Sequence, residues 1–206
     1  MSKAIFIGDS VTDCDRIDIP PLGHGYVSLI SASGRLPFEI INMGTSGHRL
    51  VDLEARWQND VIDHSPEILS IAIGINDTWR RFDDNDPTSV EDFEGRYRRV
   101  LETAIAASQP QLVLCEPFLL EVREEMHTWR EDLNPKIEVV RRLAREFQAT
   151  LIPFDQYLHN LLSQHSMQEL AEDGIHPTAL GHRLMANVWL DSWSSSLKQN
   201  ENEARP

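Results

Sequence analysis

Residues 6–13 read FIGDSVTD, an apolar run that ends abruptly in glycine, aspartate and serine and continues with more acids. One interpretation is a strand followed by a turn, since Gly, Asp and Ser all favour turns. The other is a nucleophilic serine, Ser10, displayed at the end of a buried strand. The second interpretation requires the chain to supply a base and an oxyanion hole elsewhere.

The composition argues against several classes of partner. Asp and Glu outnumber Lys and Arg by 33 to 19, which gives a formal net charge of -14 and opposes binding to nucleic acid or anionic lipid. Two cysteines, Cys14 and Cys115, are too few for a disulfide framework, and the first residues lack the apolar stretch of a signal peptide. No apolar run reaches membrane-spanning length. We therefore expect a cytoplasmic protein with no nucleic-acid or membrane partner.

Short apolar runs alternate with longer segments of helical spacing, which is typical of a parallel sheet covered by helices on both faces. The predicted strands are residues 4–7, 38–41, 68–73, 111–115 and 150–153. The predicted helices are residues 26–33, 50–64, 89–108, 135–148, 155–164 and 177–197. We expect one α/β domain spanning residues 1–206, with a flavodoxin-like strand order of 2-1-3-4-5.

Three stretches lie outside this regular pattern. The connections at residues 77–88 and 117–134 are long for a compact domain, and such connections are often functional. The polar tail from residue 194 is expected to fray. Trp189 and Trp193, near the end of the last predicted helix, are candidates for packing between subunits of a homo-oligomer.

The carboxyl ends of the strands are where an open parallel sheet binds ligands, at the point where the strand order reverses. In the expected order, the loops after the first three strands lie side by side with Ser10 in the middle. The second and third loops carry Gly44 and Asn76, and the segment before the last helix carries Asp173 and His176. We expect these five residues to meet at one edge of the sheet.

These residue types suit nucleophilic catalysis. A serine hydroxyl is a weak nucleophile unless a base accepts its proton, and His176 suits that role at neutral pH. Asp173, three residues earlier, is placed to fix the tautomer of His176 and to stabilise its imidazolium. The backbone N–H groups of Ser10 and Gly44 and the side-chain amide of Asn76 are the candidate oxyanion donors.

The blocks FIGDSVTD, NMGTSG, GIND and DGIHP, in this order along the chain, resemble the four blocks of the SGNH (GDSL-type) hydrolases. The resemblance implies a three-layer α/β/α fold and hydrolysis of acyl esters through serine, with no metal or other cofactor. It gives the five residues the roles stated above. The wider context, including GHGYVSLI, DLEARW and GINDTWRRFD, is similar to the acetylxylan esterases and related carbohydrate acetylesterases.

Four further residues near these blocks are candidates for contact with substrate. Trp79 either lines an acyl or sugar pocket or packs in the core. Asp9 is assigned to substrate binding beside the nucleophile. His48 and Arg49 follow the second block, where the resemblance leads one to expect a small polar pair, so the outer pocket is expected to differ.

A metal site is not expected. Asp13 and Asp15 have the spacing that begins a calcium loop, but Ile17 and Asp18 stand where that loop needs a ligand and a glycine. Cys14 is interpreted as a small buried thiol.

The sequence thus predicts a serine esterase that removes O-acetyl groups from a carbohydrate, with acetylated xylo-oligosaccharides as the expected substrates. Its partner would be a small-molecule or oligosaccharide ester. A hydrolase of lipid esters or thioesters on the same fold is an alternative. A sugar-binding module without catalytic chemistry is another, because fold alone does not establish function; the presence of all five catalytic roles argues against it.

Overall fold

A sheet of five parallel strands is the middle layer of the computed structural model, which describes residues 2–17 and 21–203, with side chains through residue 198. The strand order is β2-β1-β3-β4-β5, as predicted. The strands are β1 Lys3–Gly8, β2 Glu39–Gly44, β3 Ile68–Ala72, β4 Gln111–Cys115 and β5 Thr150–Ile152. Most of their residues are apolar because helices cover both faces.

The helices within the described ranges form the two outer layers. They are α1 Ser10–Asp13, α2 Tyr26–Ala32, α3 Leu50–Ala55, α4 Trp57–Asp60, α5 Ile75–Asp83, α6 Val90–Ser108, α7 Met126–Glu146, α8 Phe154–Asn160, α9 Met167–Leu170 and α10 Ala179–Glu203. Single 3-10 turns lie at Ile62–His64 and Leu161–Ser163. None of these helices is long and apolar enough to cross a lipid bilayer.

Side chains of β1 alternate between two apolar clusters, one on each face of the sheet. Phe6 packs against Tyr26 of α2 and Trp189 of α10. Ile5 and Ile7 point the other way, into the cluster that α3, α6 and α7 complete. The three-layer α/β/α arrangement predicted from the alternation of strands and helices is confirmed.

Two connections predicted as loops contain helix. The stretch 77–88 begins inside α5, and α7 starts at Met126, with Pro135 inside the helix. Both helices are held by a third apolar cluster, in which Ile75 of α5 packs near Trp129 and Leu133 of α7. Tertiary burial outweighs the local signal of Pro135, which disfavours helix in isolation.

In the C-terminal region, the role expected for Trp189 and Trp193 is wrong, whereas the expected fraying of the tail stays a prediction. Helix α10 continues past residue 194 to Glu203, and Ser196 accepts a hydrogen bond from the Thr150 hydroxyl at 3.0 Å. Trp189 is fully buried in its own chain, where its indole N–H donates to Ser70 Oγ at 3.0 Å, and Trp193 is 6% exposed. These tryptophans therefore pack under the sheet and are not available to a second subunit.

The ends of β1, β2 and β3 lie level with one another. Gly8 is paired with Gly44 on one side and with Ala72 on the other. A Cβ on Gly8 would lie 2.1 Å from the carbonyl oxygen of Ala72, so only glycine permits this approach. The segments that leave these strands consequently start side by side.

Candidate active site

Ser10 is the first residue of α1, where the chain passes from β1 into a helix. Asp9 caps the helix, because its Oδ1 accepts the N–H of Val11 at 3.0 Å. The hydroxyl of Ser10 lies 2.9 Å from Nε2 of His176. A residue in the first turn of a helix also has no intrahelical acceptor for its N–H. Ser10 thus presents a hydroxyl and a backbone donor at the same edge of the sheet.

A second hydrogen bond continues the line from Ser10 through His176. Nδ1 of His176 lies 2.6 Å from Oδ2 of Asp173, and Oδ1 of Asp173 accepts the backbone N–H of His176 at 2.7 Å and that of Ile175 at 2.9 Å. An ionised carboxylate only accepts, so Nδ1 carries the proton and donates it. Nε2 is therefore left to accept the hydroxyl proton of Ser10.

These contacts shift the pKa values of both groups. Burial acts to raise the pKa of Asp173, but hydrogen bonds from the ring and backbone of His176 and from Ile175 outweigh it, so the pKa is lowered. The hydrogen bond to Asp173 raises the pKa of His176 above 6.5, although burial opposes the shift. The pair therefore favours the imidazolium that a base becomes when it accepts a proton.

The segment that carries this pair is held by the connection between β4 and α7. Leu120 donates its N–H to the carbonyl of Gly174 at 2.9 Å. Gly174 has a φ of 88°, and a Cβ there would lie 2.1 Å from the carbonyl oxygen of Leu120. Leu119 is fixed in turn by Asp155, which accepts its N–H at 3.2 Å and pairs with Arg130 at 2.7 Å. The long connection noted at residues 117–134 therefore stabilises the segment that carries Asp173 and His176.

Gly44 does not occupy the position predicted for an oxyanion donor. Its N–H donates to Oδ1 of Asn42 at 2.9 Å, and a Cβ at this position would lie 2.2 Å from the backbone nitrogen of Asp13. The glycine is needed for that close packing. Gly47, the second glycine of NMGTSG, lines the cavity over Ser10, and its N–H has no acceptor among the described residues.

Asn76, the second residue of α5, lines the same cavity. Its side chain is nearly buried, and Nδ2 donates to the carbonyl oxygen of His48 at 3.1 Å. A side-chain amide carries two N–H donors, so one remains for a group in the cavity. The structure thus brings together Ser10, Asn76, Asp173 and His176 as predicted, with Gly47 in the place assigned to Gly44.

The loop that carries Gly47 is anchored by residues whose role the sequence analysis missed. Asp13 Oδ2 accepts the N–H and the hydroxyl of Ser46 at 3.1 and 2.7 Å, and Arg16 donates to the carbonyl oxygen of Gly44. Asp13 lies on the same short helix as Ser10, a position that suits an anchor for a neighbouring loop. The spacing of Asp13 and Asp15 suggests a metal ligand and gives no sign of this role.

A cavity of about 450 Å³ opens over Ser10. Trp79 forms one wall, with its ring centroid 6.2 Å from that of His176 and 5.9 Å from that of Trp129. Trp79 therefore both lines the cavity and packs on the core, which combines the two interpretations of this residue. The remaining lining is mostly polar and includes Asp15, Ser46, Arg80 and His182.

Asp9 does not line this cavity, so its assignment to substrate binding is wrong. Its side chain is 2% exposed and is committed to the cap of α1. Burial raises the pKa of Asp9 to about 7. Arg49 bonds to Asp86 at 2.7 Å, and neither Arg49 nor His48 lines the cavity.

Cys14 is partly exposed at the cavity wall, whereas the sequence predicted a buried thiol. Its Sγ lies 3.4 Å from Nε2 of His182, whose Nδ1 accepts the N–H of Tyr26 at 3.2 Å. Burial lowers the pKa of His182 to about 4, so the neutral ring donates from Nε2 to the sulfur. Asp18, part of the acidic segment considered for calcium, lies outside the described residues. Within those residues, no three His, Cys, Asp or Glu side chains are grouped to hold a metal.

Comparison with known proteins agrees with this fold. Residues 6–184 match the model of the GDSL-like Lipase/Acylhydrolase family. The protein is a carboxylic ester hydrolase, the class to which an α/β/α sheet with these four blocks at its edge belongs. The chain belongs to the GDSL-like lipase/acylhydrolase family.

Three known proteins illustrate what this chain is similar to. An acetylxylan esterase from Geobacillus stearothermophilus is 31% identical over 202 residues, which cover 91% of this chain and 92% of that protein. Solved structures of that esterase include catalytic mutants in which a serine, an aspartate or a histidine is replaced by alanine. Each has a TM-score of 0.84 and 29% identity, with 93% of both chains covered.

An alpha/beta hydrolase from the metagenome of Lake Arreo, Spain, is 30% identical, with a TM-score of 0.83 and coverage of 93% of this chain and 94% of its own. The thioesterase 1/protease 1/lysophospholipase L1 of Escherichia coli strain K12 is more distant. It is 24% identical over 84% of this chain and 74% of that protein.

Proposed function

We propose that the protein hydrolyses O-acetyl esters of carbohydrates through an acetyl-serine intermediate, and that acetylated xylo-oligosaccharides are its substrates. The observation that carries the catalytic part is the continuous line of hydrogen bonds from Ser10 through His176 to Asp173. The substrate part is supported by the similarity to an acetylxylan esterase along nearly the whole chain.

The first half of the reaction forms the acetyl-enzyme. Ser10 Oγ attacks the acetyl carbonyl carbon while its proton passes to Nε2 of His176, and Asp173 stabilises the resulting imidazolium. The negative charge on the carbonyl oxygen is stabilised by the N–H groups of Ser10 and Gly47 and the amide of Asn76. The bond between the carbonyl carbon and the sugar oxygen then breaks, and His176 protonates that oxygen.

The second half releases the acetyl group. Water attacks the acetyl-Ser10 ester while His176 accepts a proton from it. Collapse of the second tetrahedral intermediate returns that proton to Ser10 and releases acetic acid, which ionises to acetate in solution. The same three donors stabilise both intermediates, because the oxygen that bears the charge is the same atom in each half.

Ser10→Ala tests the proposal. We expect the variant to fold normally and to lose at least about three decades of rate, because only binding and the oxyanion donors remain. Acetate released from acetylated xylo-oligosaccharides measures the activity, and Ser163→Ala, in an exposed turn, is the matched control. Near-normal turnover by Ser10→Ala would show that the nucleophile lies elsewhere.

A lipid-ester or thioester hydrolase is the second candidate, because the more distant relative carries thioesterase and lysophospholipase activities in its name. Nitrophenyl esters of increasing acyl length separate the two. A carbohydrate acetylesterase should be fastest with acetyl. A rate that rises from acetyl to octanoyl, with little acetate release from the acetylated oligosaccharide, would favour the lipid-ester function.

A further inference from the structure

Arg56 lies between α3 and α4, away from the cavity, and its side chain is 15% exposed. Its side chain nevertheless contacts residues at the ends of β1 and β2. The guanidinium donates to the carbonyl oxygen of Gly8 at 3.0 Å, to that of Met43 at 2.7 Å and to Nδ1 of His48 at 3.1 Å. Nη1 of the same guanidinium also donates to Oδ2 of Asp60 at 2.5 Å.

The two carbonyls and the imidazole belong to two segments, each of which carries one proposed oxyanion donor. Gly8 ends β1 and lies two residues before Ser10, while Met43 leads into the loop of Gly47. His48 follows Gly47 directly, and its carbonyl oxygen accepts the amide of Asn76 at 3.1 Å. Two donor-bearing segments therefore converge on the Arg56 side chain, and Asn76 is linked to it through His48.

We propose that Arg56 is a positioning residue that fixes the three oxyanion donors relative to one another. The inference rests on the proposed serine mechanism, because the donors matter only if a tetrahedral oxyanion forms. Arg56 touches neither the cavity nor the reacting atoms, so its effect passes through the segments that it holds.

The shape of the guanidinium explains why arginine is needed at this position. Its N–H donors lie in one plane and point in fixed directions, so a single group can satisfy two backbone carbonyls, an imidazole nitrogen and a carboxylate. Lysine offers one compact ammonium that cannot reach acceptors spread around a plane. Arg56→Lys keeps the charge and releases most of the contacts.

His48 provides the acceptor for Arg56 because its ring is neutral. Burial, reinforced by the nearby Arg56 charge, lowers the pKa of His48, so Nδ1 keeps its lone pair at neutral pH. The ring nitrogen and the carbonyl oxygen of His48 thus link Arg56 to Asn76 through one residue.

The test compares Arg56→Lys with the wild type and with Arg96→Lys, which alters an arginine that pairs with Glu54 and Asp92 on the protein surface. We expect kcat for 4-nitrophenyl acetate to fall about 100-fold in Arg56→Lys, since one misplaced oxyanion donor costs that much. KM should change little, and Arg96→Lys should match the wild type.

Two further readouts separate positioning from general damage. A boronic acid that forms a tetrahedral adduct with Ser10 should bind more weakly to Arg56→Lys by a factor similar to the loss in kcat, because the adduct also needs the oxyanion donors. The acid limb of the pH–rate profile should not move, because Asp173 and His176 are untouched. A melting temperature close to that of Arg96→Lys establishes that the variant is folded.

A folded Arg56→Lys that retains kcat within about threefold of the wild type would overturn the proposal. If that variant does not fold, Asp60→Ala and His48→Ala replace it, since each removes one contact of Arg56 and leaves the backbone carbonyls in place. Both should lose kcat with KM nearly constant, and unchanged kcat in both would equally overturn it. An active Ser10→Ala, in contrast, would overturn the proposed function itself.

Discussion

His176 can act as the proposed base only while its Nε2 carries no proton. Asp173 accepts from Nδ1, so the raised pKa of His176 describes a ring that gains its second proton on Nε2, the atom facing Ser10. Protonation there removes the acceptor for the serine hydroxyl. Activity should therefore be lost as the pH falls through the pKa of His176, which lies above 6.5.

Asp173→Asn should lower kcat by about three to four decades with KM nearly constant, because the amide cannot stabilise the imidazolium and disturbs the tautomer. The inflection of kcat/KM against pH should move to lower pH, since the main cause of the raised pKa of His176 is lost. Glu172→Gln is the control, being the adjacent, exposed carboxylate. A larger loss in Glu172→Gln than in Asp173→Asn would assign the role to Glu172.

Trp79 is expected to set the acyl length that the cavity accepts. Its ring stands beside His176, and one added methylene in a closed apolar pocket changes discrimination by roughly 1–3 kcal/mol. The wild type should therefore show a steep fall in kcat/KM from acetyl to butyryl esters, and Trp79→Ala should flatten it by admitting longer chains.

Phe82→Ala is the control for this change. Phe82 lies on α5, as Trp79 does, and stacks on Trp129, but it does not line the cavity. It should leave the acyl-length profile of the wild type intact. A steep profile that persists in Trp79→Ala would retain the acetylesterase function and remove Trp79 from the acyl pocket.

At the scale of elements, α5 is joined to α7 by a buried polar group. Asp132 of α7 accepts from Thr78 at 2.8 Å and from Arg81 at 2.9 Å, both on α5, and pairs with the fully buried Lys136. Since α5 carries Asn76, this group ties the helix of one proposed oxyanion donor to the outer layer. The pairing also explains how a lysine can be buried within α7.

The two charges of this group should differ in their importance for stability. Asp132→Asn leaves Lys136 buried without its carboxylate, and breaking a buried pair in this way costs roughly 3–5 kcal/mol of unfolding free energy. Lys136→Met should cost less, because Asp132 keeps Arg81 and Thr78. Urea denaturation of the two variants measures the difference, and an equal or larger loss in Lys136→Met would contradict it.

Elements were predictable from the sequence where burial is continuous and not where it depends on distant partners. The five strands are apolar runs, so their number followed from the alternation with helices, and their order agrees with the expected flavodoxin-like arrangement. The start of α7 was missed because its first turns are held by Ile75 and Leu119, which no local pattern reveals. The assignment of Gly44 as an oxyanion donor failed for the same reason, since its contacts with Asn42 and Asp13 leave no local pattern in the sequence.

At the scale of the whole molecule, the sheet separates two apolar clusters and leaves its carboxyl edge for chemistry. Ser10, Gly47 and Asn76 follow three adjacent strands, so the sheet itself brings them together. Ser10 and Asn76 were predictable because short blocks mark the ends of β1 and β3, and Asp173 and His176 because the DGIHP block precedes the last helix. The supports of the site, Asp13 and Arg56, were not, because their partners are backbone atoms and loop residues that leave no spacing in the sequence.

The tight turn that holds Asp173 and His176 has an evolutionary consequence. Their mutual geometry is settled within four consecutive residues, so it survives changes elsewhere in the scaffold. Only the 2.9 Å gap to Ser10 depends on how distant layers pack. Sequence divergence elsewhere in the fold would therefore first change the distance between Ser10 and His176. A descendant that lost activity in this way would still have Asp173 and His176 correctly placed relative to each other. A small shift of the β4–α7 connection would then be enough to bring His176 back within hydrogen-bond distance of Ser10 and to restore activity.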